Sequence, residues 1–407
     1  MADQPLTARV VRGWAALPLS LRIGGLYLLA RLVTHGLLVL AAALAPAGSR
    51  FGPGAGVGDL LGGWDAQWYW LVAVAGYPTT LPLTPDGLVT ENQWAFLPVY
   101  PMLANIVGAP ANSWVAGAVV VSLVAGYGAT YVLCRMLSER IGTSAAQWAA
   151  VMFACAPLAA IFHVGYAESL FLLLLFLALW AVQRRAYAWL YLLIPVMGFT
   201  RPGVLAFALF LALHAIARWV CRRTDPLPAR EVVHIVATGL LGVVVGFSWV
   251  VIAGVVTGQP DAYLSTELAW RRNWLPDAEG GFLPFEGFVQ AAAFWFTRAG
   301  LGAVAGYIAL AASVVLVALV LWRERHVRRL GLDIRLWSAS YLVYLLAVFF
   351  PQSSIMRLLL PLSPLWGAVA LPRSLAWRCG VLAACLAGQW WWIHAMYALG
   401  NTFWRIP

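Results

Sequence analysis

Long apolar runs separated by short loops follow one another along most of this sequence. The chain of 407 residues is 62% hydrophobic and only 10% charged, whereas soluble domains are about 25% charged. Many runs approach the roughly 20 residues that cross a bilayer as a helix. The sequence therefore predicts an all-α polytopic membrane protein with a single transmembrane domain over 1–407.

We predict eleven membrane spans, each an apolar run bounded by a loop. They cover 22–46, 113–137, 145–163, 166–183, 187–200, 203–220, 232–257, 299–322, 336–350, 354–371 and 376–399. Two connecting segments are long, 47–112 and 258–298, and the others are short. No segment is large enough for a separate soluble domain.

The basic residues predict the orientation of the chain. All 26 are arginine, and the net charge is +10. With a cytoplasmic N-terminus, 18 arginines fall in cytoplasmic segments and seven in outer segments, while Arg31 lies in the first span. Cytoplasmic loops are enriched in Arg and Lys, so we expect a multi-pass plasma-membrane protein with both long loops outside. Most of the arginines lie in short loops between apolar runs, which argues against nucleic-acid binding.

A carboxylate set among aromatic residues opens the first long loop. Asp65 follows Trp64, and Tyr77 ends the same stretch. Apolar residues at helical spacing predict a helix at the membrane surface: Trp68, Leu71, Val72 and Ala75. Asp65 then has two interpretations, a cap at the start of that helix, or a general base or hydrogen-bond partner for an acceptor hydroxyl.

Two further acids are candidates for the site. Glu91 precedes the segment 93–98 of the same loop, where a structural or acceptor-binding role is open. Glu168 begins a nearly pure apolar run, where it either caps a helix or serves function, the default hypothesis for an ionisable residue at the edge of a span. His163 lies just before it and is more often a hydrogen-bonded structural residue than a catalyst.

Four arginines on the predicted outer face suggest an anionic ligand: Arg201, Arg271, Arg272 and Arg357. The planar guanidinium suits phosphate, although each side chain could instead snorkel toward lipid head groups. A carboxylate for a hydroxyl and arginines for a phosphate suit a lipid-phosphate substrate whose tail stays in the bilayer. No phosphate-binding loop, dinucleotide fingerprint, zinc-protease or hydrolase motif is present, and the five cysteines lack metal spacing.

Four short motifs, in this order and spacing, resemble the PIG-V-like mannosyltransferases, a family of GT-C-type membrane glycosyltransferases. They are Trp64-Asp65-Ala66 with Gly76-Tyr77, Glu91 with Ala95-Phe96-Leu97-Pro98, Tyr166-Ala167-Glu168-Ser169-Leu170-Phe171, and Thr200-Arg201-Pro202-Gly203. A later arginine–proline stretch, 357–366, also looks like the family's C-terminal span. The resemblance implies a GT-C-like bundle and inverting transfer of a sugar, usually mannose, from a polyprenyl phosphate at the extracytoplasmic face.

The resemblance also implies residue roles. It places Asp65 and Glu91 as the catalytic acids, and the family's further motif residues correspond to Glu168 and Arg201. Taken with the aromatic residues and outer arginines described above, we predict these substrate-binding residues: Trp64, Tyr77, His163, Glu168, Arg201, Arg271, Arg272 and Arg357. The partners are then membrane lipids, the lipid-linked donor, and a lipid or glycan acceptor. We expect no metal or other cofactor, because the outer arginines can supply positive charge and the outer acids are not clustered in the sequence. An all-arginine chain with short loops is typical of a bacterial member, for which no GPI-anchor acceptor is expected.

Rival interpretations keep the lipid phosphate but change the chemistry. A transporter or flippase for a lipid-linked substrate would bind the phosphate only during passage, and it should show paired repeats and polar residues at the bilayer midplane, of which we find few. A GT-C enzyme that uses another sugar, such as arabinose or glucose, keeps the same site. A catalytically silent subunit is the third alternative.

Overall fold

The computed structural model describes residues 16–275 and 281–400 of the chain. These residues form helices and loops, with an isolated bridge between Leu83 and Val89. The α-helices, in chain order, are α1 (Leu19–Ala43), α2 (Val57–Leu61), α3 (Asp65–Ala75), α4 (Val99–Gly108), α5 (Trp114–Ile141), α6 (Thr143–Ala154), α7 (Glu168–Gln183), α8 (Leu190–Gly198), α9 (Val204–Val220), α10 (Ala229–Thr257), α11 (Ala262–Arg272), α12 (Glu286–Arg298), α13 (Ala303–Arg323), α14 (Arg325–Arg329), α15 (Leu332–Val348), α16 (Ile355–Leu358), α17 (Trp366–Ala370) and α18 (Leu375–Ile393).

The predicted all-α membrane architecture is confirmed. Each of the eleven predicted spans coincides with helical structure. Within the described residues, α1, α5, α10 and α13 are long and apolar enough to cross a membrane, judged by length and composition.

Two predicted spans are broken. Span 145–163 ends as an α-helix at Ala154, before Pro157, and span 354–371 is divided into α16 and α17 by a 3₁₀ segment that contains Pro361 and Pro364. Proline removes a backbone donor and clashes with the preceding turn, so these apolar runs cannot continue as single α-helices.

The long helix α5 packs against α4, α6 and α7 at the centre of the bundle. Small residues allow this close packing. A Cβ atom added to Gly117 of α5 would lie 2.0 Å from the carbonyl oxygen of Ala104 in α4. By contrast, α10 and α13 leave most of their apolar side chains exposed, as helices that face lipid do.

The two long loops meet over one end of the bundle. The segment 47–112 contains α2, α3 and α4, and the segment 258–298 contains α11 and α12, with 276–280 outside the described residues. The Asn92 amide of the first loop donates to Thr266 Oγ1 of α11 at 2.8 Å. The loops therefore form one cover, within which functional side chains from distant parts of the sequence come together.

The predicted surface helix corresponds to α3, but its buried face is rotated. Ala66, Tyr69 and Val72 are buried, whereas Trp70 and Val74 are exposed. The apolar spacing centred on Trp68 predicted the helix but not which of its faces is buried. The buried face is the one on which the Asp65 side chain, at the first residue of α3, points inward.

Candidate active site

A cavity of about 350 Å³ lies between the two long loops and the bundle. Five charged side chains from four segments line it: Asp65 on α3, Arg201 in the α8–α9 hairpin, Glu267 and Arg271 on α11, and Arg357 on α16. Much of the remaining lining is apolar and comes from α9, α10 and α15, including Leu205, Val245 and Val348. The cavity can thus accept a molecule that has both a charged and an apolar part.

The backbone at Trp64 turns Asp65 into the cavity. Trp64 has a φ of 54°, a conformation that costs about 1–3 kcal/mol for a residue with a side chain. Its indole nitrogen donates to the Met396 carbonyl at 3.0 Å, and the Arg50 guanidinium lies 4.3 Å from the centre of its ring. The Asp65 carboxylate forms no capping bond to α3 and accepts from Arg357 Nη1 at 2.5 Å. An ion pair, rather than a helix cap, positions this carboxylate.

Glu168 lies behind the cavity wall and contacts two of the three arginines that line it. Its Oε1 is 3.4 Å from Arg201 Nη2 and 3.3 Å from Arg357 Nε, and its side chain is 2% exposed. Glu168 is the first residue of α7, where the positive end of the helix dipole stabilises a carboxylate. Its Oε2 has no hydrogen-bond partner within the described residues. The buried charge therefore depends on Arg201 and Arg357.

Tyr166 contacts both members of the ion pair between Asp65 and Arg357. The Arg357 guanidinium carbon lies 5.3 Å from the centre of the Tyr166 ring, within cation–π range. The Tyr166 hydroxyl oxygen accepts from the Asp65 backbone N–H at 3.4 Å. The result is an ion cluster of zero net charge that contains four residues: Asp65, Glu168, Arg201 and Arg357. Each arginine has five N–H donors, so donors remain for an anionic ligand.

Glu267 is a cavity-lining acid to which the sequence motifs assign no role. Its side chain is open to the cavity space, yet protein surrounds the cavity. The resulting loss of bulk water raises the pKa of Glu267 to about 7, against the opposing effects of a hydrogen bond from Tyr263 and of the Arg201 charge. A helical stripe of larger polar and aromatic residues could have indicated this face of α11: Tyr263, Glu267, Trp270 and Arg271, all of which line the cavity.

Four of the residues predicted for the site line the cavity: Asp65, Arg201, Arg271 and Arg357. Arg271 is 7% exposed and also contacts Glu286 Oε2 at 3.3 Å. Glu168 contacts two members of this group from behind. The structure thereby brings together residues that lie as far apart as 65 and 357 in the sequence.

The other predicted residues lie outside the cavity lining. Glu91 accepts from the Asn273 amide at 2.6 Å, and Arg272 donates to the Val89 carbonyl, so both join the two long loops. Trp64 shapes the backbone before Asp65, as described above.

Tyr77 and His163 contact other parts of the fold. The Tyr77 hydroxyl donates to the Phe96 carbonyl at 2.8 Å, and its ring stacks on Trp94 with centroids 4.7 Å apart. His163 lies with its Nε2 3.4 Å from His35 Nδ1. Neither side chain is among those that line the cavity.

Comparison with solved structures finds several that are similar to this chain. The chain is similar to ArnT from Cupriavidus metallidurans, solved bound to undecaprenyl phosphate, with 16% identity, a TM-score of 0.48, and coverage of 89% of this chain and 63% of ArnT. It is also similar to the Archaeoglobus fulgidus oligosaccharyltransferase in complex with zinc and sulfate, with 15% identity, a TM-score of 0.43, and coverage of 91% and 53%. The chain thus spans between about half and two thirds of the length of these proteins. No protein-family model matches it, and no curated protein matches it by sequence.

Proposed function

We propose that this protein is a glycosyltransferase of the GT-C type, related to the PIG-V-like mannosyltransferases. In this proposal it moves mannose from a polyprenyl-phosphate donor to a lipid or glycan acceptor at the outer face of the plasma membrane. One observation carries the proposal. A single cavity combines Arg201 and Arg357 with an apolar lining from α9 and α10, which suits an anionic head group on a lipid tail.

The proposed chemistry is a direct, inverting displacement at the anomeric carbon. Arg201 and Arg357 stabilise the departing phosphate, because donors fixed before the reaction act on charge as it develops. Glu168 keeps both guanidinium groups in place. Asp65 acts on the acceptor side, where it orients the attacking hydroxyl or removes its proton. Glu91, at the junction of the two loops, supports acceptor binding.

We further propose that the reaction needs no metal, because the arginines supply the positive charge that the phosphate requires. No group of three or more His, Cys, Asp or Glu side chains that could hold a metal ion occurs in residues 16–275 and 281–400. Chelation of the purified protein is the test of this part of the proposal.

The decisive experiment uses the full chain purified into lipid nanodiscs. It is incubated with radiolabelled polyprenyl-phosphate mannose and an extract of membrane lipids and glycans, and transfer is compared between wild type and Asp65→Asn. We expect transfer by the wild type and a large loss in the variant. Equal transfer by both proteins would refute the role of Asp65.

Repeating the assay with polyprenyl-phosphate donors that carry different sugars separates the rival functions. Transfer from a polyprenyl-phosphate arabinose or glucose, but not mannose, would change the sugar and keep the enzyme class. Movement of the intact lipid-linked sugar across a vesicle membrane, with no transfer from any donor, would favour a transporter.

A further inference from the structure

Tyr69 carries a hydroxyl group that opens into the cavity. It lies on α3 one helical turn after Asp65, so the two side chains share a face of the helix, and both line the cavity. Tyr69 is 5% exposed, and its hydroxyl oxygen is part of the accessible fraction. Within residues 16–275 and 281–400 this hydroxyl forms no hydrogen bond. A largely buried donor without a protein partner is costly, and a ligand in the cavity would supply the missing acceptor.

Packing fixes the ring that carries this hydroxyl. The Tyr69 ring makes edge-to-face contacts with Phe96 and Tyr100, with centroids 5.0 and 5.2 Å apart. Tyr100 is fully buried, and its hydroxyl donates to the Ala118 carbonyl at 3.1 Å and lies 2.9 Å from Ser122 Oγ. The two neighbouring tyrosines therefore differ, because the Tyr100 hydroxyl bonds to protein and the Tyr69 hydroxyl faces the cavity.

The Tyr69 hydroxyl keeps its proton at neutral pH. Burial raises the pKa of Tyr69 well above its usual range, and the charges of Glu168 and Asp65 add to this rise while those of Arg201 and Arg357 oppose it. The hydroxyl is therefore a donor. Arg201 and Arg357 bring further N–H donors to the same cavity, and an acceptor that suits all three groups is a negatively charged oxygen.

We infer that the Tyr69 hydroxyl binds the phosphate of the lipid-linked donor, donating a hydrogen bond to an oxygen of that phosphate beside Arg201 and Arg357. This inference rests on the proposed glycosyltransferase function and adds a ligand contact that the sequence motifs do not assign. A hydrogen bond to a charged oxygen is roughly twice as strong as one between neutral groups. One helix then serves both substrates, the acceptor through Asp65 and the donor through Tyr69.

The test compares ligand binding by wild type and Tyr69→Phe, each as the full chain in nanodiscs. The substitution removes the hydroxyl and keeps the ring. Calorimetric titration with farnesyl phosphate, a short polyprenyl phosphate, should give a Kd about 10–100-fold higher in the variant. Farnesol has the same tail without the phosphate, and it should give the same Kd for both proteins. Inorganic phosphate should bind more weakly than farnesyl phosphate, because it lacks the tail that the apolar lining accepts.

Tyr100→Phe is the matched control, since it makes the same change in the neighbouring ring, whose hydroxyl already bonds to protein. It should lower the denaturant midpoint of the ligand-free protein and leave the Kd for farnesyl phosphate unchanged. Tyr69→Phe should leave the midpoint unchanged. A lower midpoint in Tyr69→Phe, with an unchanged Kd, would assign the hydroxyl to a protein acceptor such as the unpartnered Oε2 of Glu168 and would overturn the inference.

The inference and the proposed function fail in different ways. If the wild type prefers farnesyl phosphate to farnesol and Tyr69→Phe binds both as the wild type does, the role of Tyr69 is wrong and the proposed function stands. An equal loss of affinity for farnesol and farnesyl phosphate would also overturn this role, since the change would then act on the tail. A wild type that binds farnesyl phosphate no better than farnesol or inorganic phosphate would refute the proposed lipid-phosphate donor, and the role of Tyr69 with it.

Discussion

Replacement of Arg357 by Met would test whether the four-residue ion cluster is one energetic unit. The change removes the charge and keeps much of the side-chain length. It leaves Asp65 and Glu168 with one cation, Arg201, which contacts Glu168 at 3.4 Å. Asp65 is 21% exposed and Glu168 only 2%, so most of the penalty falls on Glu168. Removing one partner of a buried pair typically costs about 3–5 kcal/mol, and we expect a loss of stability in that range.

The companion change is Glu168→Gln, which removes the most deeply buried charge of the cluster. The double variant then has one carboxylate and one guanidinium in the cluster, Asp65 and Arg201, so it should be less unstable than the sum of the two single changes. Coupling energies between residues in one network run to about 0.5–3 kcal/mol, and we expect this pair in the upper half of the range.

The measurement is the free energy of unfolding of each variant in lipid bicelles by denaturant titration. Arg373→Met is the control, because Arg373 is exposed and lies outside the cluster, and it should change stability by less than about 0.5 kcal/mol. If the loss of stability in the double variant equals the sum of the two single losses, the four residues do not act as one energetic unit. A stable Arg357→Met protein would show that Glu168 does not depend on this arginine.

Three further predictions concern the orientation of the chain, the packing of α5 and the metal requirement. In a variant that keeps Cys221 alone, the exposed thiol should react with an impermeant maleimide only after cells are permeabilised; labelling of intact cells would reverse the predicted orientation. Gly117→Val should destabilise the protein by about 1–3 kcal/mol or more, because its Cβ would overlap the Ala104 carbonyl. Gly380→Ala, in open space on α18, should have no destabilising effect in the same unfolding assay. Chelation should leave the transfer rate of the wild type unchanged, whereas loss of activity that a divalent cation restores would contradict metal independence.

The bundle was predictable because membrane helices depend mainly on local composition. Each apolar run must satisfy its own backbone hydrogen bonds in lipid, so the runs predicted the helices without tertiary information. The interruptions near Pro157 and Pro361 were less visible, because apolar composition continues across them. The rotation of α3 was not predictable from its aromatic residues, since both of its faces carry them.

The site was predictable only in part, because its geometry depends on contacts between distant segments. The motifs drew attention to Asp65, Arg201 and Arg357, and all three line the cavity. They gave no sign that Asp65 and Arg357, separated by 292 positions, form a pair. Glu267 remained unassigned, since its environment comes from the first loop, the hairpin and α15 rather than from its neighbours in sequence.

The arginines on the predicted outer face have a second explanation in the structure. The sequence suggested an anionic ligand because these arginines oppose the positive-inside bias, yet a buried carboxylate also requires a buried cation. Each of the four has a protein partner: Arg201 with Glu168, Arg271 with Glu286, Arg272 with the Val89 carbonyl, and Arg357 with Asp65 and Glu168. Their number alone therefore no longer argues for a phosphate. The argument now depends on the cavity, which three of these guanidinium groups line together with apolar side chains. Each guanidinium has five N–H donors, so donors remain for a ligand.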